Sequence, residues 1–160
     1  MARGKTNESV GTTIATNRKA SHEYYLETKY EAGLVLSGWE VKSMRDNRAN
    51  LKESYILARQ GELFLVGAHV SASATTSTHE TINPTRQRKL LLHRTEINRL
   101  IASVERKGYA LIPMRLYWKQ GRVKLQFALA KGKKMHDKRA AIKSRDVERD
   151  QAREISNRLR

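Results

Sequence analysis

The chain has 160 residues, 39% of them hydrophobic, and carries 32 Lys and Arg against 16 Asp and Glu, a formal charge of +16. It has no cysteine, which excludes disulfides and thiolate metal sites and fits a reducing cytosol. No apolar run approaches the roughly 18 residues of a membrane span, and the opening "MARGKTNESVGTT" is charged without an apolar stretch, so it does not read as a secretory signal. The length suits one domain plus an appendage. The charge surplus repels itself and points to a polyanionic partner, nucleic acid first and an anionic membrane surface second.

Residues 1–13 are small and polar and read as a flexible arm. "HEYYLETKYEAGLVL" alternates in part, with Tyr24, Leu26, Tyr30, Ala32, Leu34 and Leu36 on one parity, and predicts a strand. "SGWEVKSMRD" predicts a short helix with Ser37 as its cap. "ESYILARQGELFLVGAHV" is a hairpin turning at Gln60-Gly61. The polar stretch Ser71 to Arg88 is a long surface loop, and "LLLH" after Lys89 is a short apolar run.

"HRTEINRLIASVERKG" predicts a clearer helix, with Thr95 as cap, Ile97, Leu100, Ile101 and Val104 as its apolar stripe and Gly108 as its stop. "YALIPMRLYWKQGRVKLQFALA" is a second hairpin, turning at Gln120-Gly121, with Pro113 at an edge or a bulge. From Asp137 to Arg160 the pattern is weakly helical. Ala141, Ala152, Ile155 and Leu159 share a face, with opposite charges in reach such as Asp150 and Arg153. Helices of this kind are marginal in isolation, so the tail is expected to be disordered when free and helical when bound. About six short strands with inserted helices make the chain mainly β. A small antiparallel barrel fits that count, with an open α+β sheet as its competitor.

Catalytic chemistry is hard to find in these residues. Gly4-Lys5-Thr6 lacks the upstream glycine and the strand of a phosphate-binding loop. The histidines, His22, His69, His79, His93 and His136, show no paired spacing for zinc. No nucleophile elbow appears, and His136-Asp137-Lys138 are adjacent helix positions that point apart. Three basic segments carry more. Lys131, Lys133 and Lys134 surround Gly132 after a strand, where they can meet phosphates or merely form a solvated turn. Arg86, Arg88 and Lys89 flank the long loop. Arg18, Lys19 and His22 precede Tyr24-Tyr25, a mixture of cations and rings that suits unstacked RNA bases, although one of that pair should be half-buried. Glu31 is an acid in a basic body, placed either to accept from a base amino group or to pair with Lys29 or a neighbouring strand.

Three blocks, "NRKASHEYYLETKYEAGLVLSGWEVKSMRDNRANLKESY", "PTRQRKLLLHRTEI" and "LYWKQGRVKLQFALAKGKKMHDKRAAIKSRD", resemble in this order the SsrA-binding protein family, also called small protein B, from about Asn17 to Arg153. The resemblance implies an oligonucleotide-binding (OB-fold-like) barrel over 14–133 and a basic tail over 134–160. It implies a cytoplasmic, non-enzymatic protein without cofactor, metal or membrane. Such a protein binds the tRNA-like domain of transfer-messenger RNA and brings it to stalled bacterial ribosomes for trans-translation, meeting elongation factor Tu indirectly through the charged RNA. The positions it implies for RNA are Asn17, Lys19, His22, Tyr24, Glu31, Leu91 and His93, then Lys131, Gly132, Lys133 and Lys134. For the tail, in the decoding centre and the empty message channel, it implies His136, Asp137, Lys138 and Arg139, then Lys143, Arg145, Arg149, Arg153 and Ile155. The competing class is a structural ribosomal protein with a basic barrel and a tail threaded through ribosomal RNA.

Overall fold

Two Gln-Gly turns set the frame of the molecule. Gln60 (φ 50°) and Gly61 (φ 73°) join β4 (Tyr55–Arg59) to β5 (Glu62–Val66), and Gln120 (φ 50°) and Gly121 (φ 73°) join β8 (Ala110–Lys119) to β9 (Arg122–Gly132). Two central residues at positive φ twist a two-residue loop to match right-handed strands, so both predicted hairpins close directly, Arg59 on Glu62 and Lys119 on Arg122. The structure is a computed structural model that describes residues 11–76, 79, 81–133 and 135–159, without the side chains at 135–138, 140 and 141. The Gly4-Lys5-Thr6 motif, most of the expected arm, Lys134, and the side chains of His136, Asp137 and Lys138 lie outside the described residues.

Around these hairpins the strands close on themselves. β2 (Tyr24–Leu34) pairs with β9 on one side and with β7 (Arg88–Leu91) on the other; β7 pairs with β5, β5 with β4, and β4 returns to β8 through Ile56 and Leu111. With β8 on β9 the circuit is complete, and every pairing in it is antiparallel. This is the mainly β barrel, and it removes the open edges that the alternative sheet would expose. β1 (Thr13–Thr16) adds to β8, and a ribbon of β3 (Ala49–Asn50) and β6 (His69–Val70) stands apart.

Inside lie Leu63, Leu65, Leu90, Leu116, Leu125 and Phe127, all at most 1% exposed. α2 (Gly38–Arg45) adds Trp39 and Met44 to this core, and α3 (Arg94–Lys107) adds Ile97 and Leu100. The α2 start agrees with its sequence, the Ser37 N–H donating to the Glu40 carboxylate at 3.0 Å. The α3 start does not. His93, extended at φ −65° and ψ 144°, is the residue before the helix, and Thr95 falls within its first turn. Gly108 ends it at φ 66°, as expected.

Two strand irregularities shape the barrel surface. β2 carries a bulge between Leu26 and Lys29. Before it, Tyr24 and Leu26 pack on a small second cluster with Ala20, Ile112 and Ala130; after it, Tyr30, Ala32 and Leu34 face the main core. The second irregularity, between Pro113 and Arg115, is the bulge Pro113 suggests. Asn17 clamps it: its N–H donates to Met114 O at 2.7 Å and its Nδ2 to Pro113 O at 3.0 Å. β1 and the one-turn α1 (Ala20–Glu23) were not anticipated. α4 (Met135–Arg158) takes the tail as one helix.

Candidate nucleic-acid interface

The expected RNA positions separate into two groups at opposite ends of β2. From Tyr24 to Glu31 the strand covers about 23 Å at the usual rise, so one nucleotide cannot touch both.

At the first end, α1 folds against the exit of β9. Gly132 lies opposite Tyr24 and Lys131 opposite Tyr25, the Lys133 N–H donates to Glu23 O at 2.9 Å, and Lys133 Nζ reaches Ser21 O at 3.0 Å. Lys133 Nζ also sits 5.0 Å from the centre of the Tyr25 ring, and Lys131 Nζ 4.7 Å from that of Tyr109. Tyr24 is half-buried in the small cluster, whereas Tyr25 is 49% exposed. Of the two rings, Tyr25, the neighbour of the expected residue, is the more exposed, and Lys133 lies over it. Strand alternation shows that the two tyrosines face apart, but it does not tell which one faces out. A side chain at Gly132 would meet nothing within 4 Å, so packing does not require glycine there, and the bare backbone is open to a phosphate. Lys19 pairs with Glu53 at 3.2 Å, both exposed, a pair that contributes little and exchanges readily for phosphate. Asn17 is 9% exposed: its Nδ2 donates to the Pro113 bulge, its Oδ1 has no hydrogen-bond partner among the described residues, and it lines one cavity with Lys19 and Tyr24.

At the second end, Glu31, Leu91 and His93 line one cavity of about 360 Å³ with Gly33 and Lys124. Leu91 is 52% exposed. Gly33 lies opposite it, and a Cβ there would come 3.3 Å from Leu91 Cβ, so glycine keeps this wall open. Glu31 accepts from the Tyr117 hydroxyl and from Lys119 Nζ at 3.2 and 3.4 Å. Its cation is thus Lys119 on β8 and not Lys29. Burial pushes this carboxyl up, but the Tyr117 and Lys119 hydrogen bonds, with the charges of Lys119 and Lys124, outweigh burial and hold it below the usual value. Tyr117, Lys119 and Lys124 are additions to the expected set. The signal for them was the Gln120-Gly121 turn, whose register puts Tyr117 opposite Lys124 and Lys124 opposite Gly33.

The Arg86, Arg88 and Lys89 cluster is a correction. Arg88 and Glu40 are both fully buried and form an ion pair, Arg86 adds a second bond to Glu40, and Arg88 also donates to Ala68 O at 3.0 Å and Pro84 O at 3.1 Å. Lys89 pairs with Glu62 at 3.8 Å. Both arginines fasten α2 to the barrel; Arg88 is buried and out of reach of RNA, while Arg86 keeps part of its side chain at the surface.

α4 leaves from the first end. Arg139, Lys143, Arg145, Arg149, Arg153 and Ile155 are all exposed along it. The Asp150–Arg153 pair forms at 3.9 Å. Arg145 Nη2 lies 3.3 Å from His22 Nδ1, a contact between tail and body. Among the described residues, no helix is long and apolar enough to cross a membrane.

Known proteins share this geometry and its sequence. A model of the SmpB protein family matches residues 14–157. An SsrA-binding protein of Dechloromonas aromatica (strain RCB) is 54% identical over 92% of this chain and 99% of its own length. Another, from Nitrosomonas europaea, is 55% identical over 88% of this chain and 93% of its own length. A solved structure described as "tmRNA-SmpB: a journey to the center of the bacterial ribosome" is similar at a TM-score of 0.62 and 39% identity, over 75% of this chain and 84% of that one.

Proposed function

The chain belongs to the SmpB protein family, and from that premise we propose that it binds the tRNA-like domain of transfer-messenger RNA and delivers it to stalled ribosomes for trans-translation. Its relatives are named for binding SsrA RNA, and the solved neighbour is described as a tmRNA–SmpB assembly of the bacterial ribosome. The observation that carries the reading is the family match across barrel and tail together, residues 14–157. An RNA-binding barrel then presents two faces: Lys131, Lys133 and Tyr25 at one end, and Glu31, Leu91, His93 and Lys124 at the other. The tail, beginning beside the first face, acts in the decoding centre and the empty message channel, where an occupied channel excludes it. The protein acts by binding, its fate tied to elongation factor Tu only through the charged RNA.

The test is binding of the full chain to transfer-messenger RNA against equal masses of tRNA and duplex RNA over a salt series. A strong preference that survives moderate salt is expected. Equal binding to all three, collapsing with salt, would reduce the protein to a generic polycation.

Lys131 and Lys133 allow a sharper prediction. Replacing both with Ala should weaken binding and flatten the log–log salt dependence, by up to about 0.9 for each lost duplex-like phosphate contact. An unchanged slope means that neither lysine meets a phosphate.

A further inference from the structure

Glu31 is held more firmly than a surface acid needs. The terminal torsion of a glutamate is broad, so a lone carboxylate turns freely. Here the Tyr117 hydroxyl bonds Oε2, and Lys119 Nζ spans both oxygens at 3.2 and 3.4 Å. Tyr117 is 4% exposed, so one anchor is fixed in the barrel wall. A carboxylate has about four lone-pair positions. Tyr117 and Lys119 occupy both on Oε2, while Oε1 takes Lys119 alone and keeps one. Glu31 lines the cavity with Leu91, His93, Lys124 and a second acid, Glu96. Leu91 offers an apolar platform there and Lys124 a cation.

Resting on the reading of Glu31 as an RNA contact, we propose that Tyr117 and Lys119 are positioning residues that fix the Glu31 carboxylate to accept one hydrogen bond from the exocyclic amino group of an unstacked nucleobase seated on Leu91. The bases of this class are adenine, cytosine and guanine; uracil has no amino group to give. An acid placed in a surface of charge +16 weakens phosphate attraction. It compensates by discriminating among bases, since a carboxylate is an acceptor only.

The experiment uses the full-length protein and transcripts of the tRNA-like domain carrying scattered phosphorothioate analogues that each lack one exocyclic amino group, inosine for guanosine and purine riboside for adenosine, with the matching cytidine analogue. Bound and unbound pools are mapped. Wild type should reject the analogue at one loop position, and Glu31→Ala should lose that rejection. Tyr117→Phe keeps the ring; it should weaken binding of the unmodified RNA about tenfold, and of RNA lacking that amino group at most about twofold. Should Tyr117→Phe fold poorly, as judged by its thermal midpoint, Lys119→Met is read for the same loss of rejection. If both variants keep the rejection intact, or Tyr117→Phe weakens both RNAs alike, the positioning role is overturned. If wild type rejects no analogue while Glu31→Ala still binds weakly, amino-group reading is overturned and the RNA contact stands. If Glu31→Ala binds like wild type, the contact itself fails.

Discussion

Glu40→Gln is expected to destabilise the protein by about 3–5 kcal/mol, a large part of the roughly 5–15 kcal/mol that holds a domain of this size together. Glu40 and Arg88 are both without exposed surface, and the carboxylate also receives Arg86 and the Ser37 N–H. A neutral amide still accepts hydrogen bonds but leaves the Arg88 guanidinium charged and buried without a counterion. Loss of one partner is therefore far costlier than absence of both. The pair Glu40→Met with Arg88→Met should recover most of the loss. Urea unfolding of Glu40→Met, Arg88→Met and the double variant closes the cycle, with Glu40→Gln measured beside them. A shift below about 1 kcal/mol in Glu40→Gln would show that the pair has the weak energetics of a surface bridge.

The same group sets an acid limit. Burial pushes the Glu40 carboxyl up, but bonds from Arg88, Ser37 and Arg86 win and hold it below its ordinary value of 4.5. A depressed folded value means that the unfolded chain takes up the proton first. The stabilisation is fully present above pH 4.5 and is lost as pH falls through the lower folded value. In Glu40→Gln that part of the acid transition should vanish.

What the sequence made legible was local. The Gln-Gly turns, the Ser37 start and the Gly108 stop each depend on a few adjacent residues, and each is found. The misses share the opposite character. β3 and β6 have two residues apiece, too short for any period. β1 exists by pairing with β8, about a hundred residues away in sequence. Arg88 looked like one of three cations beside a loop because its counterion stands 48 residues earlier on a helix. The site was read with the same bias. Lys131 and Lys133 are clustered in sequence and remain so in space, whereas the Tyr117–Glu31 bond joins residues 86 apart. Asn17 sits at the rim of the first face because its Nδ2 binds Pro113 O, a partner that only the folded barrel brings to it.

Replacing Asp137, Lys138 and Arg139 with Ala should abolish tagging of stalled nascent chains while changing affinity for transfer-messenger RNA by less than about threefold. The substitution removes one net positive charge from +16, too little to alter long-range attraction. It also spares the barrel. α4 begins only after β9 has ended, and Lys131 and Lys133 are held by their own contacts to Tyr109, Tyr25 and Ser21. The helix has 24 residues, about 36 Å at 1.5 Å per residue. Val147, Ile155 and Leu159 are 47–82% exposed along it, whereas Ile142 lines a cavity with His22 of the body. Under the proposed function, ribosomal RNA in an empty message channel has the charge to receive a basic helix of that length. The measurement pairs an RNA-binding titration with a tagging assay on ribosomes stalled at the end of a truncated message. Intact binding with lost tagging separates the work of barrel and tail. A large loss of RNA affinity would mean that α4 belongs to the barrel's own RNA surface, and that the Arg145 contact with His22 is part of that surface.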